Sequence, residues 1–373
     1  GWERANWFAP KGVEPKYEYS WGRQNWFEFS AKEHMNVREN VGIYDLTSMG
    51  KFLMQGKDSQ KVLQMICAND VAVPVGKVVY TQMLNKRGGI EADLTVTKME
   101  ENKFFIVTAG ATTTRDFDWI MRHIPEDANA VLTDVTWSYI MLGVMGPNSR
   151  DLLNKITDED LSNEAFPFAT AKQIHAGYAT AFAVRMSFVG ELGWELYIPT
   201  PFAQDIFDKL MEAGKEFNAG LCGLHALDSL RLEKGYRHWS SDISPDTTPY
   251  EAGLGFAVRL NKDDFIGKAA LVKQKQEGIK QKLVIFTIDD PEPLIYHDEP
   301  IYCNGEIVGE NTHGSYAHVT GNSIGMVYLS NEKGITDEWI MDGDYEIEVE
   351  DKKYPITIHL KAPYDPEGKS IKV

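Results

Sequence analysis

The sequence predicts an α+β protein made of two related α/β halves followed by an all-β domain. Three observations lead there. The stretch FLMQGKDSQKVLQ recurs loosely as LGVMGPNSRDLLN: an apolar strand, a glycine turn, a serine (Ser59 and Ser149), then a helix with its apolar residues in phase. A strand pair follows each copy, GGIEADLTVTKMEENKFFIVTAG in the first half and YATAFAVRMSFVGELGWELYIPT in the second. From about residue 281 the pattern changes to short strands separated by turn residues, KLVIFTI, EPIYCNGEIVGE, IGMVYL and YEIEVEDKKYPITIHL, which marks a β-barrel or sandwich.

In chain order, the opening is rich in Trp, Pro and Tyr without helical or strand period, so an extended arm is expected over residues 1–30. The α/β region should occupy 31–280, its halves meeting near 136–146, and the barrel 281–373. A helical composition over 31–40 precedes GIYDL and GKFLMQG, which read as strand and turn, and SQKVLQMI resumes the helix through Val62, Leu63, Met65 and Ile66. PFAQDIFDKLMEAGKEF is an amphipathic helix with Phe202, Ile206, Leu210 and Met211 on one side. In the next helix, GLHALDSLRLEKG, Asp228 and Arg231 are three apart and so share a face. Asn304-Gly305 is a two-residue hairpin signal.

With 373 residues, 43% hydrophobic and 25% charged, the chain can bury a real core. A net charge of −17 without any basic run argues against nucleic acid and anionic membrane as partners. The apolar runs are too short for a membrane-spanning helix. Cys67, Cys222 and Cys303 are far apart and odd in number, which argues against a disulfide framework and for a reducing compartment. The nine histidines form no H-x-H or H-E-x-x-H spacing, so no metal site is expected. GLGFAV lacks the third glycine of a dinucleotide fingerprint, so neither FAD nor NAD should bind this chain itself. The first residue, Gly1, fits a processed chain or a segment of a longer polypeptide.

Asp93 follows a Gly-Gly turn and opens a β-branched strand, while Glu191 and Glu195 flank the Gly190 and Gly193 turn a hundred residues later. Two carboxylates on two hairpins suit a pocket for a nitrogen-rich ligand, and on comparable hairpins of the repeat they would face one cavity. Asp93 equally fits a turn residue capping backbone N–H groups.

GGIEADLTVTK, SFVGELGWELYIP, GLHALDSLRLEKGYRHWSSDI, TTPYEAGLGFAV with NKDDFIGKAAL, and GEIVGENTHGSYAHVTGNSIGMVYL resemble, in that order, the successive blocks of the tetrahydrofolate-binding aminomethyltransferase family. This is the family of the glycine-cleavage T-protein. GWERANWFAP and RQNWFEF are similar to its branch formed by the folate-binding C-terminal half of dimethylglycine and sarcosine dehydrogenases. The resemblance covers nearly the whole chain. It implies the T-protein-like fold, a central folate cavity between the halves, and tetrahydrofolate as cofactor. The donor it implies is an N-methylated amine, with FAD carried by a partner subunit or upstream oxidoreductase domain. The location it implies is the cytoplasm, or the mitochondrial matrix in a eukaryote.

Residue by residue, Asp93 matches the family's catalytic aspartate and Glu195 the glutamate that pairs with the pterin ring. Glu191 reads as structural. Phe188 stands where close relatives often carry Tyr, which keeps stacking and loses a polar contact. Arg231 is a candidate for the folate tail carboxylate, with a helix-surface pair to Asp228 as the equal alternative. Tyr236, Arg237 and Trp239 are placed at the cavity mouth, and Tyr80, Met83, Val107 and Thr108 on its wall. His313 lies where the family reads T-S-G, and a lone histidine is more often a hydrogen-bonded loop residue than a catalyst. The expected reaction is capture of an iminium as 5,10-methylenetetrahydrofolate. The alternatives are a free-standing demethylase yielding 5-methyltetrahydrofolate and a non-catalytic folate-binding scaffold.

Overall fold

The computed structural model describes residues 2–20 and 22–373. After the arm, α1 (Phe27–Glu39) leads into β1 (Val41–Asp45). The first half runs β2 (Gly50–Gln55), α2 (Ser59–Ile66), β3 (Val78–Leu84), β4 (Ile90–Glu100), β5 (Lys103–Thr108), α3 (Thr113–Arg122) and β6 (Val131–Asp134). The second repeats that order with β7 (Tyr139–Met145), α4 (Ser149–Leu153), β8 (Ala171–Ala176), β9 (Ala179–Val184), β10 (Gly193–Pro199), α5 (Ala203–Ala213) and β11 (Ala219–Leu221). Then come α6 (Leu224–Glu233) and α7 (Lys268–Glu277). The last domain holds β12 (Gln281–Ile288), β13 (Pro300–Cys303), β14 (Glu306–Ala317), β15 (Asn322–Ser330), α8 (Asp337–Met341), β16 (Tyr345–Val349) and β17 (Lys352–His359).

The two halves have matching sheets. The first has the order β3-β4-β5-β2-β6, and the second β8-β9-β10-β7-β1-β11, so each strand finds its counterpart and β1 is wedged between β7 and β11. Asp93 lies on β4 of the β4–β5 pair and Glu195 on β10 of the matching β9–β10 pair, so the two carboxylates sit on comparable hairpins as expected, on opposite strands of the pair.

Strand alternation assigns the layers. In β4, Ala92, Leu94 and Val96 join Phe52, Phe104 and Ile106 in a core closed by Leu63 and Ile66 of α2 and Ile120 of α3. In β10, Trp194, Leu196 and Ile198 do the same beneath Leu152 and Leu153 of α4 and Ile206 and Leu210 of α5. Of the four apolar positions expected along that last helix, Phe202 remains exposed in the turn ahead of it. The opposite faces meet: Phe105 and Val107 share one cluster with Met141, Tyr197, Tyr44 and Leu230. The architecture is therefore helices outside and two sheets packed face to face. Each buried large apolar side chain contributes about 1.5–3 kcal/mol to holding the layers together.

The C-terminal strands close into a barrel in the order β12-β15-β14-β13-β16-β17. Asn304 and Gly305, at φ +51° and +88°, make the primed turn expected between β13 and β14. The barrel docks on α6, where Leu232 packs with Ile285, Ile324 and Met326.

The arm folds back on the molecule. Trp7 stacks on Phe29 with centroids 5.4 Å apart, and the carbonyls of Ala5 and Asn6 accept the N–H groups of Leu224 and His225 at the start of α6. Those N–H groups have no partner inside the helix, so the arm caps it. Gly223 allows this approach, because a Cβ there would lie 2.3 Å from the Asn6 carbonyl.

Candidate active site

Asp93 is set by a hairpin clamped at its turn. Gly89 has no room for a side chain, since a Cβ would stand 1.8 Å from the Pro245 carbonyl oxygen, and the Ile90 N–H donates to the Ser244 and Thr247 carbonyls. Three residues on, Asp93 pairs with Gln82 across β3 and β4, and the Gln82 side-chain amide donates to its Oδ1 at 2.8 Å. The Tyr80 hydroxyl lies against the same carboxylate. Burial raises Asp93 to about 6, opposed by Gln82, Tyr80 and the more distant Arg237, while Asp116 adds to the rise. Its hydrogen-bond partner is a side chain from the neighbouring strand, so the role of a turn cap is not the one it plays.

Glu195 is sparsely partnered. It sits between Val184 of β9 and Gly143 of β7, and only the Tyr197 hydroxyl donates to it, at 2.7 Å on Oε2, among the described residues. Burial raises it to about 7 against that one donor. Both carboxylates are enclosed by protein yet partly reached by solvent. Strand alternation turns both into the layer between the sheets: Asp93 is opposite in phase to Ala92 and Leu94, and Glu195 to Trp194 and Leu196. The Gln82 Oε1, fully buried, has no donor among the described residues. This layer is rich in acceptors and poor in cations, an arrangement that suits a ligand edge carrying several N–H groups.

The other expected residues divide. Val107 belongs to this inner side, and Tyr80, in phase with Gln82, packs beside Trp239 and Leu254, whereas Met83 is buried in the helix-covered core of the first half. Thr108 is also turned away, and its hydroxyl donates to Asp116 of α3. Placing Met83 and Thr108 on the cavity wall is therefore corrected, and period two is the reason: Gln82 faces the side Met83 does not. Phe188 and Tyr236 have their rings 5.9 Å apart. Trp239 donates its indole N–H to the Ile90 carbonyl at 3.1 Å and carries the Arg115 guanidinium 4.4 Å above its ring, which anchors the Asp93 hairpin.

Arg231 is fully buried and paired with Asp228 at 2.8 Å and Asp242 at 2.5 Å, so of its two expected roles the helix pair is present and extended. Arg237 is the cation nearer the site: it acts on Tyr80 and Asp93, with its Nε donating to the Ala252 carbonyl at 2.8 Å. His313 bonds Asp228 at 2.6 Å. Glu191 pairs with Arg38 at 2.8 Å, a structural tie between α1 and the hairpin. Among the described residues no three His, Cys, Asp or Glu side chains converge as a metal site, and no helix is long and apolar enough to cross a membrane. The three cysteines are free and buried.

A duplicated α/β core with an acceptor-lined layer and a barrel docked on α6 defines a module of the T-protein kind. The chain belongs to the glycine cleavage T-protein family: the GCVT N-terminal domain matches residues 1–262 and the glycine cleavage T-protein C-terminal barrel domain matches 281–365. It is 40% identical over its whole length to 4-methylaminobutanoate oxidase (formaldehyde-forming) of Paenarthrobacter nicotinovorans, covering 44% of that protein. It is 38% identical to mitochondrial dimethylglycine dehydrogenase of Mus musculus, with 96% of this chain and 41% of that protein covered. It is 37% identical to the aminomethyltransferase of Listeria monocytogenes, with 80% of each covered. The chain thus spans less than half the length of the oxidase and dehydrogenase it matches. The crystal structure of the glycine cleavage system aminomethyltransferase T of Bartonella henselae has the same fold, with TM-score 0.81, 23% identity and 94% of each chain covered.

Proposed function

We propose that the chain is a tetrahydrofolate-dependent one-carbon transfer module that captures the methylene group of an oxidised N-methylated amine. Residues 31–280 would hold the folate and residues 281–373 would close over it. The observation that carries this reading is a pair of carboxylates, Asp93 and Glu195, turned into one inter-sheet layer with too few donors to satisfy them. Tetrahydrofolate supplies the nucleophilic nitrogen that takes up the carbon as 5,10-methylenetetrahydrofolate. The residues fit it: Glu195 offers acceptor oxygens to an amino-pyrimidinone edge.

Asp93 does the proton work. A base poised near 6 is ionised at neutral pH, yet basic enough to take a proton from an amine nitrogen and return it to the leaving amine. Its negative charge also steadies a cationic donor where little water competes. The enclosing sheets keep water from hydrolysing the reactive carbon to formaldehyde, so positioning supplies much of the rate. The family's dehydrogenase and oxidase relatives are about twice as long, which supports an FAD-binding oxidoreductase domain or subunit as the source of the donor. The cytoplasm or the mitochondrial matrix would suit that chemistry.

The test is incubation with tetrahydrofolate and either formaldehyde or N-methylated and methylated donors, followed by identification of the folate product. 5,10-Methylenetetrahydrofolate formed faster than the uncatalysed condensation supports the proposal. 5-Methyltetrahydrofolate would replace it with a demethylase, and folate binding without any acceleration would reduce the chain to a scaffold.

A further inference from the structure

Gln82 holds one oxygen of Asp93 and leaves the other free. Its side-chain amide donates to Oδ1 at 2.8 Å, from the residue directly opposite Asp93 in the β3–β4 register. Oδ2 accepts no hydrogen bond among the described residues, and it is not sealed from solvent. Gln82 is itself held in place: it is fully buried, its carbonyl accepts the Ala68 N–H at 2.8 Å, and the adjacent Thr81 hydroxyl accepts the Asn69 N–H at 3.0 Å. The amide also carries a penalty, because its own Oε1 is buried without a donor among the described residues. A Met of similar length would fill the space without that penalty, so packing alone does not call for Gln here.

We propose that Gln82 is a positioning residue for the transfer, fixing Asp93 so that Oδ2 is the oxygen that takes up the proton. The proton leaves the attacking amine nitrogen, forms an O–H bond at Oδ2 and returns from there to the leaving amine, while the Gln82 N–H stays on Oδ1. A hydrogen bond to an ionised carboxylate favours the charged form, so Gln82 also opposes the burial that raises Asp93. Tyr80 of β3 and Arg237 of the segment after α6 act in the same direction as Gln82, and Asp116 of α3 acts against them. The proton step rests on the proposed function, while the hold on Asp93 can be measured without folate.

The experiment is carbon-13 NMR of the Asp93 carboxyl against pH, without folate, in the parent, Gln82→Met and Gln82→Leu, beside the pH profile of one-carbon transfer. Loss of a hydrogen bond to a charged group should raise the Asp93 midpoint by about one to two pH units. Transfer at pH 7 should then fall about 2- to 10-fold and recover towards pH 9, with KM for tetrahydrofolate little changed. A residue that only supports the fold would lower the rate at every pH. In the parent, the Gln82 side-chain amide protons should shift through the same pH step and stay still in Asp93→Asn, a readout that does not depend on either Gln82 variant folding. An unmoved Asp93 midpoint, an amide insensitive to pH, or a loss of rate that high pH does not restore overturns the assignment. A midpoint that moves as expected in a chain with no transfer activity removes the proposed function and leaves Gln82 its hold on Asp93.

Discussion

Two groups of largely enclosed acids in this molecule are treated in opposite ways. Asp228 and Asp242 share the fully buried Arg231, and His313 and Thr312 complete their hydrogen bonds. Burial works to raise Asp228, but Arg231 and His313 outweigh it and hold it down at about 2. Asp93 and Glu195 receive one close side-chain donor amide and one hydroxyl respectively, and both rise, to about 6 and about 7. The same contrast appears within one hairpin, where Glu191 is matched by Arg38 and Glu195, four residues on, by no cation among the described residues. Buried charge left without a counter-ion costs stability, and on the proposed function the folate is what satisfies these two groups.

The contrast can be attacked from both sides. The largest effect is expected at Asp93→Asn: one-carbon transfer should fall on the order of 10²–10⁴-fold. Stability should move the other way. A folded-state value above the unfolded one favours folding at low pH, and that contribution is lost as pH rises through about 6, so the non-ionisable variant should be more stable at pH 7 by on the order of 1–2 kcal/mol. A urea titration at pH 7 that shows Asp93→Asn less stable than the parent would contradict the unpaired state of this group.

Arg231→Leu is the opposite case. It strands Asp228 and Asp242 and should destabilise by about 3–5 kcal/mol, readable as a lower urea midpoint; a change below about 1 kcal/mol would mean the cluster is not the tie between α6 and the loop that follows it. Because Asp228 is depressed, its contribution is present above the unfolded value near 4 and disappears only as pH falls towards about 2. Glu195→Gln should weaken tetrahydrofolate binding by roughly 10- to 100-fold, as expected for loss of charged hydrogen bonds, with little change in transfer rate at saturating folate. Calorimetric titration with unaltered affinity would remove Glu195 from the ligand site. The smallest effect belongs to His313→Ala, whose half-exposed bond to Asp228 should contribute no more than about 1 kcal/mol, with transfer unaffected.

Much of this contrast was legible in the sequence. The loose repeat around Ser59 and Ser149 carried the duplicated sheets, and the Asn304-Gly305 pair carried a barrel hairpin, because local periodicity and turn chemistry suffice for both. Asp93 and Glu195 were visible as acids inside strands that otherwise read as apolar or β-branched. Spacing alone could not give their partners. Gln82 and Met83 are adjacent in sequence and face opposite sides of the sheet, so naming Met83 missed the donor that strict alternation from Tyr80 would have found. Asp242, which engages Arg231 from eleven residues away, and the insertion of β1 into the second sheet depend on tertiary pairing that no local pattern records.

Asp93 is the proton acceptor of the proposed function, and carbon-13 NMR of the aspartate side-chain carboxyls observes that group itself. The resonance absent from Asp93→Asn should titrate near 6 in the free protein and shift when tetrahydrofolate is added. A titration near 4 that folate leaves unmoved would contradict it.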